Sequence, residues 1–147
     1  MKKTIIFSAL IILIDQIIKF FISNMNVLES ITIIPNFFSI TYIQNTGAAF
    51  SILNGNTILL IIISFIILFF LYKLVLKNSN NQITSILLLG GIIANLIDRI
   101  FRGYVVDYLN FNLLGYNFPI FNLADICIVI GTIMLIFQTL VENEEIK

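Results

Sequence analysis

Residues 57 to 72, TILLIIISFIILFFLY, run without one charged side chain. A helix made from such a stretch has no polar face to turn toward water, so it needs a large core or a bilayer around it. A chain of 147 residues cannot supply that core: 59% of it is hydrophobic and 11% charged, against about 25% charged in soluble chains. Lipid is the solvent this implies. Counting this one, four apolar segments run over roughly 4–22, 57–76, 83–100 and 123–141, each near the about 17 to 25 residues that cross ~30 Å of hydrocarbon. The reading is four transmembrane helices in one integral membrane domain, 1–147.

The opening MKKTIIFSALIILIDQIIKFFISN has the lysines and apolar run of a secretory signal. It lacks a small-residue cleavage site, and Asp15, Gln16 and Lys19 interrupt the run, so the first helix is expected to be retained. Lys2 and Lys3 precede helix 1, Lys73 and Lys77 flank the connection between helices 2 and 3, and Lys147 ends the sequence. The connection from Ser23 to Asn56 carries no Lys or Arg. Positive residues stay inside, which puts both termini in the cytoplasm and the two longer connections outside.

The first outer connection, NVLESITIIPNFFSITYIQNTGAAFSILNG, is rich in Ile, Thr, Phe and Tyr with turn residues between, and predicts a small β-element over about 26–54. KNSNNQ reads as a polar turn between helices 2 and 3. In the last connection Gly103 is expected to end helix 3, while Gly115 and Pro119 mark turns.

Net charge is zero, so no basic surface invites nucleic acid. There is no histidine, which removes Ser-His and Cys-His nucleophiles and histidine metal sites. The one cysteine, Cys127, lies in an apolar helix without a base and is not expected to be a nucleophile. Chemistry is left to carboxylates, amides, hydroxyls, Lys and Arg.

A charge at the centre of a membrane helix costs about 2.5 to 3.5 kcal/mol, so each of Asp15, Asp98, Asp107 and Asp125 needs a partner or a purpose. Asp15 and Lys19 stand four apart and predict a local ion pair, with Lys19 able to snorkel outward. Asp98 and Arg102 make a second such pair, and Asn95 and Arg99 share their helix face. Asp107 and Asp125 have no cation in their own segments. Asn122 and Asp125 have the spacing of a helix cap and its third-residue acid, and Asp107 in GYVVDYLN suits a plain turn or interface aspartate. Taken together, two aspartates at one depth beside Arg99 and two asparagines are the material of a carboxylate dyad, in which one proton is shared and water is activated without metal or cofactor.

The stretches DQIIK (15 to 19), NTGAAF (45 to 50), GGIIANLIDRIFRGYVVDY (90 to 108) and FNLADI (121 to 126) carry a resemblance. In this order and on these elements, the chain resembles the lipoprotein signal peptidases, signal peptidase II, over nearly its whole length. The resemblance implies an all-α membrane protein, four transmembrane helices with a small extracytoplasmic β-cradle. It also implies an aspartic endopeptidase that removes the signal peptide of bacterial prolipoproteins before a diacylglyceryl-modified cysteine. Asp107 and Asp125 match the catalytic pair. Asn95, Arg99 and Asn122 match supporting or substrate-positioning residues, and Asp15, Lys19, Asn45 and Gly47 match further motif positions. The expected partners are the lipid-modified prolipoprotein and membrane lipid, with no metal, cofactor or nucleic acid, and the chain acts as a monomer. The expected location is the bacterial cytoplasmic membrane, with the active site near the outer leaflet.

Three other readings were open to these residues. A proton-coupled carrier would spread polar groups through the membrane depth, whereas here helices 3 and 4 concentrate theirs at the outer end. A lipid phosphotransferase with Asp-bound Mg²⁺ would cluster more acids and fail in chelator. A non-catalytic assembly subunit would tolerate loss of both aspartates.

Overall fold

The computed structural model describes residues 1–47, 53–77 and 82–145. Ala48 to Phe50 of NTGAAF and most of the KNSNNQ turn lie outside the described residues. Four helices alternate with strands: α1 (Lys2–Ile22), β1 (Ser30–Ile34), β2 (Phe38–Asn45), α2 (Thr57–Lys77), α3 (Gln82–Arg102), β3 (Val105–Leu113), β4 (Tyr116–Asn117) and α4 (Leu123–Glu145). Among the described residues, three helices are long and apolar enough to cross a membrane, over Lys2–Ile22, Gln82–Arg102 and Leu123–Val141.

The molecule turns its apolar residues outward and its polar ones inward. Ile58, Phe70 and Phe137 are well exposed, while Asp15, Lys19, Thr84, Asp98 and Asn122 are fully buried. In water that distribution would be untenable; in hydrocarbon it satisfies both sets of groups.

Helix α3 is the central one, packed on α1, α2 and α4. Its contact with α4 is close because glycines remove side chains where the two meet, as at small-residue interfaces between membrane helices. A Cβ on Gly91 would stand 2.5 Å from the Ala124 carbonyl oxygen, and one on Gly131 would stand 2.8 Å from Leu88 Cγ. Gly103 ends α3 in the left-handed region at φ +81, as its sequence position predicts.

The sheet is larger than the sequence suggests. It is antiparallel in the order β1-β2-β3-β4, so half of its strands come from the connection between α3 and α4. That segment hides its strand signal because Asp107, Asn110 and Asn112 break the hydrophobic pattern of VVDYLNFNL. Asp107 therefore sits in a strand and not in a plain turn. The expected turn at Gly115 is present as a two-residue hairpin loop, with Leu114 at φ 53 and Gly115 at φ 91.

One irregularity positions the site. Between the pairs Ile40↔Leu109 and Ile43↔Asp107, β2 uses two residues, Thr41 and Tyr42, where β3 uses one, Tyr108. This β-bulge reverses the faces of everything beyond it. With regular pairing Gln44 would stand on the Asp107 face; with the bulge, Asn45 does.

Candidate active site

The N-terminus of α4 is where the elements converge. Phe121, just before it, bridges to β3, with Leu109 and Phe121 exchanging backbone bonds at 2.8 and 3.2 Å. The strand that carries Asp107 is thereby tied to the helix that carries Asp125.

The four N–H groups at the start of α4 that the helix itself leaves unsatisfied, those of Asn122, Leu123, Ala124 and Asp125, all have acceptors, and Ile126 makes the first bond of the helix. Leu123 N–H donates to the Tyr108 hydroxyl at 3.2 Å and Ala124 N–H to Asp15 Oδ1 at 3.0 Å. Asp125 N–H donates to Asn122 Oδ1 at 2.9 Å and Ile126 N–H to the Asn122 carbonyl at 3.3 Å. Asn122 N–H returns a bond to Asp125 Oδ2 at 3.3 Å. This is the reciprocal cap expected from the sequence.

The same capping residue joins the two acids. Asn122 Nδ2 donates to Asp107 Oδ1 at 2.7 Å. The other oxygen, Asp107 Oδ2, accepts from Asn45 Nδ2 at 2.9 Å. Asp125 Oδ1 accepts from Asn95 Nδ2 at 2.7 Å. Each oxygen of both carboxylates thus faces an N–H donor. Asn45 Oδ1 accepts from Gly47 N–H at 2.9 Å, and Arg99 donates to the Gly47 carbonyl at 3.1 Å, which ties the end of β2 to α3.

These groups open on a cavity of about 470 Å³. Asn45, Asn95, Arg99, Asp107 and Asp125 form its polar part, and Phe118, Ile126 and Val129 are among its apolar walls. Burial is the main cause that pushes the Asp107 carboxyl up to about 7, and the neighbouring Asp125 charge adds to it; donors from Asn45 and Asn122 act in the opposite direction. Tyr108, also buried, has its phenol raised.

Asp15 and Lys19 lie behind this set. Lys19 does not snorkel: it is fully buried, 2.8 Å from Asp15 and 2.9 Å from Asp98. Its chain turns inward because two carboxylates converge there. The pairing of Asp98 with Arg102, at 3.3 Å, is correspondingly more than local. Asp98 also accepts from Gln16 at 3.2 Å and from Val106 N–H at 3.1 Å, and so fastens α1 and β3 to α3.

Of the residues singled out in the sequence, Asn45, Asn95, Arg99, Asp107, Asn122 and Asp125 are therefore brought together, Gly47 borders them, and Asp15 and Lys19 support them from behind. Sequence reasoning missed Tyr108 and Gln16. Neither has a spacing signal, because their partners lie on other elements.

A buried carboxylate pair in an amide cage, lining a mostly apolar cavity between α3, α4 and the sheet of a membrane protein, has the chemistry that hydrolysis requires. The sequence pattern of the Signal peptidase (SPase) II family matches residues 7–141, and the chain belongs to that family, a family of aspartic peptidases. A lipoprotein signal peptidase of Halothermothrix orenii is 44% identical over 131 residues, covering 86% of this chain and 88% of its own. One of Staphylococcus aureus (strain JH9) is 37% identical over 149 residues, covering 98% and 91%. Two solved bacterial membrane enzymes, determined by the in meso method, share the fold. The first, at 2.3 Å resolution, gives a TM-score of 0.91 at 36% identity over 100% of this chain and 93% of its own. The second, at 1.9 Å, gives 0.85 at 37% over 95% and 94%.

Proposed function

We propose that Asp107 and Asp125 are the catalytic pair with which this membrane peptidase hydrolyses the signal-peptide bond of a prolipoprotein, before a diacylglyceryl-modified cysteine. The enzyme removes signal peptides from prolipoproteins, as its family and named relatives do. The observation that carries the assignment is the Asn122 amide, which donates to one aspartate while its backbone N–H donates to the other.

Charge balance supports a dyad that holds one proton. At this end of the helices four carboxylates, Asp15, Asp98, Asp107 and Asp125, meet three cations, Lys19, Arg99 and Arg102. A single shared proton makes the cluster neutral, and uncompensated charge is costly in so apolar a setting. The raised Asp107 carboxyl, at about 7, is consistent with that proton being present near neutral pH.

In the mechanism, the ionised member takes a proton from water as the water attacks the scissile carbonyl carbon. The protonated member gives its proton to the carbonyl oxygen and, in the collapse of the tetrahedral intermediate, a proton passes to the departing amine. Asn45 and Asn122 hold Asp107, Asn95 and Asn122 hold Asp125, and Arg99 orients the backbone at Gly47 beside the cavity. The apolar walls receive the hydrophobic part of the precursor, and the diacylglyceryl chains remain in lipid. All four helices cross the membrane, with both termini in the cytoplasm and the site near the outer leaflet, because Lys2, Lys3, Lys73, Lys77 and Lys147 belong to the opposite end. The membrane is the bacterial cytoplasmic one, and the chain acts as a monomer.

The test is a cleavage assay on one precursor with and without its diacylglyceryl group, with product N-termini read by mass spectrometry. Cleavage before the lipidated cysteine, absent with D107N and much slower on unmodified precursor, is expected. Equal cleavage of both forms would contradict the lipid requirement.

A further inference from the structure

We propose that Lys19 is a positioning residue for the dyad, acting through Asn95; this rests on the reading of Asp107 and Asp125 as the catalytic pair. Lys19 is fully buried, and its ammonium reaches three partners: Asp15 Oδ2 at 2.8 Å, Asp98 Oδ2 at 2.9 Å and Asn95 Oδ1 at 2.8 Å. An ammonium donates and has no acceptor; this one hydrogen-bonds Asn95 and pairs by charge with the two carboxylates. The pair with Asp15 lies within α1 and the pair with Asp98 bridges α1 to α3. The third contact, to a neutral amide, serves no charge and is the one that ion pairing leaves unexplained.

Its consequence lies on the far side of the amide. Because Lys19 cannot accept, Asn95 must present its oxygen to it, and its NH₂ is then turned to Asp125 Oδ1 at 2.7 Å. Asn122 Nδ2, 3.3 Å from the same Asn95 oxygen, imposes the same orientation. A flipped Asn95 would face Asp125 with an acceptor, which only a protonated oxygen satisfies. Lys19 thus removes one of the two amide orientations and keeps the dyad's proton off Oδ1 of Asp125. The ionisable groups that face Asp125 are Lys19 from α1, Arg99 from α3, and Asp107 and Tyr108 from β3; those against Lys19 are Asp15 on its own helix and Asp98 on α3. Asp15 completes the arrangement by holding the Ala124 N–H next to Asp125.

The test compares, in the full-length enzyme in detergent, the charge-neutral double exchange D15N/K19Q with T84V, which removes a buried hydrogen bond to Gln138 near the start of α3, away from the dyad. In the first, the amide introduced at position 15 can still accept the Ala124 N–H. The amide introduced at position 19 can present either of its ends and no longer dictates the orientation of Asn95. For D15N/K19Q, kcat is expected to fall roughly 10- to 100-fold with KM unchanged, and its pH profile to move by about half a unit or more. T84V is expected to lose thermal stability but to keep the wild-type kcat and pH profile. Wild-type kcat and profile in D15N/K19Q would overturn the proposal, as would kcat losses that simply follow stability in both variants. If D15N/K19Q does not fold, the wild type carries the test through the ¹⁵N-labelled side-chain amide of Asn95. Slow solvent exchange and a shift that follows the dyad's titration are expected; an Asn95 amide indifferent to that titration would overturn the proposal. Failure of the underlying dyad reading is separately visible, since D107N would then cleave at the wild-type rate.

Discussion

Asn122 holds Asp107 from the cap of another element: its side-chain nitrogen lies 2.7 Å from Asp107 Oδ1, while its oxygen caps α4. One asparagine therefore sets both the start of the helix that bears Asp125 and the distance of that helix from the strand that bears Asp107. Asn122→Ala is expected to lose the cap, at about 0.5 to 2 kcal/mol of stability, and to reduce kcat far more than this loss of folded protein accounts for. Thermal unfolding and cleavage rates on the same preparation check both parts.

Asn45→Ala removes a donor that favours the ionised form of Asp107. With that donor gone, Asp107 keeps its proton to higher pH. The wild-type rate is expected to fall as pH rises through about 7, and in the variant this basic limb moves upward by about one unit. The same group makes stability depend on pH. Its carboxyl is raised from 3.8 to about 7 in the folded protein, so its contribution is full below about 4 and is lost as pH rises through 7. A pH series of kcat for both proteins measures the first effect, and melting temperatures measure the second.

The helices were legible in the sequence because hydropathy over a long apolar run depends on nothing distant. The cap was legible too, since Asn122 and Asp125 are three apart. Strand β3 was not, because its polar residues face a cavity and a sheet that only the fold creates. Nor was the orientation of Asn45: it depends on a bulge at Thr41 and Tyr42 that no residue type there announces. Lys19 looked able to snorkel because the second carboxylate that draws it inward, Asp98, belongs to another helix.

Gly91→Ala tests the close approach of α3 and α4. Its new methyl would meet the Ala124 carbonyl at 2.5 Å, so the helices must part at the turn that carries Asp125. A loss of about 1 to 3 kcal/mol is expected, together with slower cleavage as the Asn95 to Asp125 bond lengthens. Thermal denaturation and the cleavage assay would detect the two effects; unchanged values in both would show that the interface yields without moving the acid.

Cys127 is buried on α4 two residues beyond Asp125, yet takes no part in the mechanism. Cys127→Ala is expected to cleave at the wild-type rate, and the wild type to stay indifferent to thiol reagents, as measured by initial rates with and without alkylation.

The most direct measurement is the cleavage rate of D107N and of D125N, each made separately, on lipid-modified prolipoprotein with and without chelator. Each exchange keeps the shape and much of the hydrogen bonding while removing the proton chemistry. Each variant is expected to lose about 10²- to 10⁴-fold or more in rate, with wild type unaffected by chelator. Wild-type cleavage by either variant, or loss of wild-type cleavage in chelator alone, would contradict the carboxylate dyad.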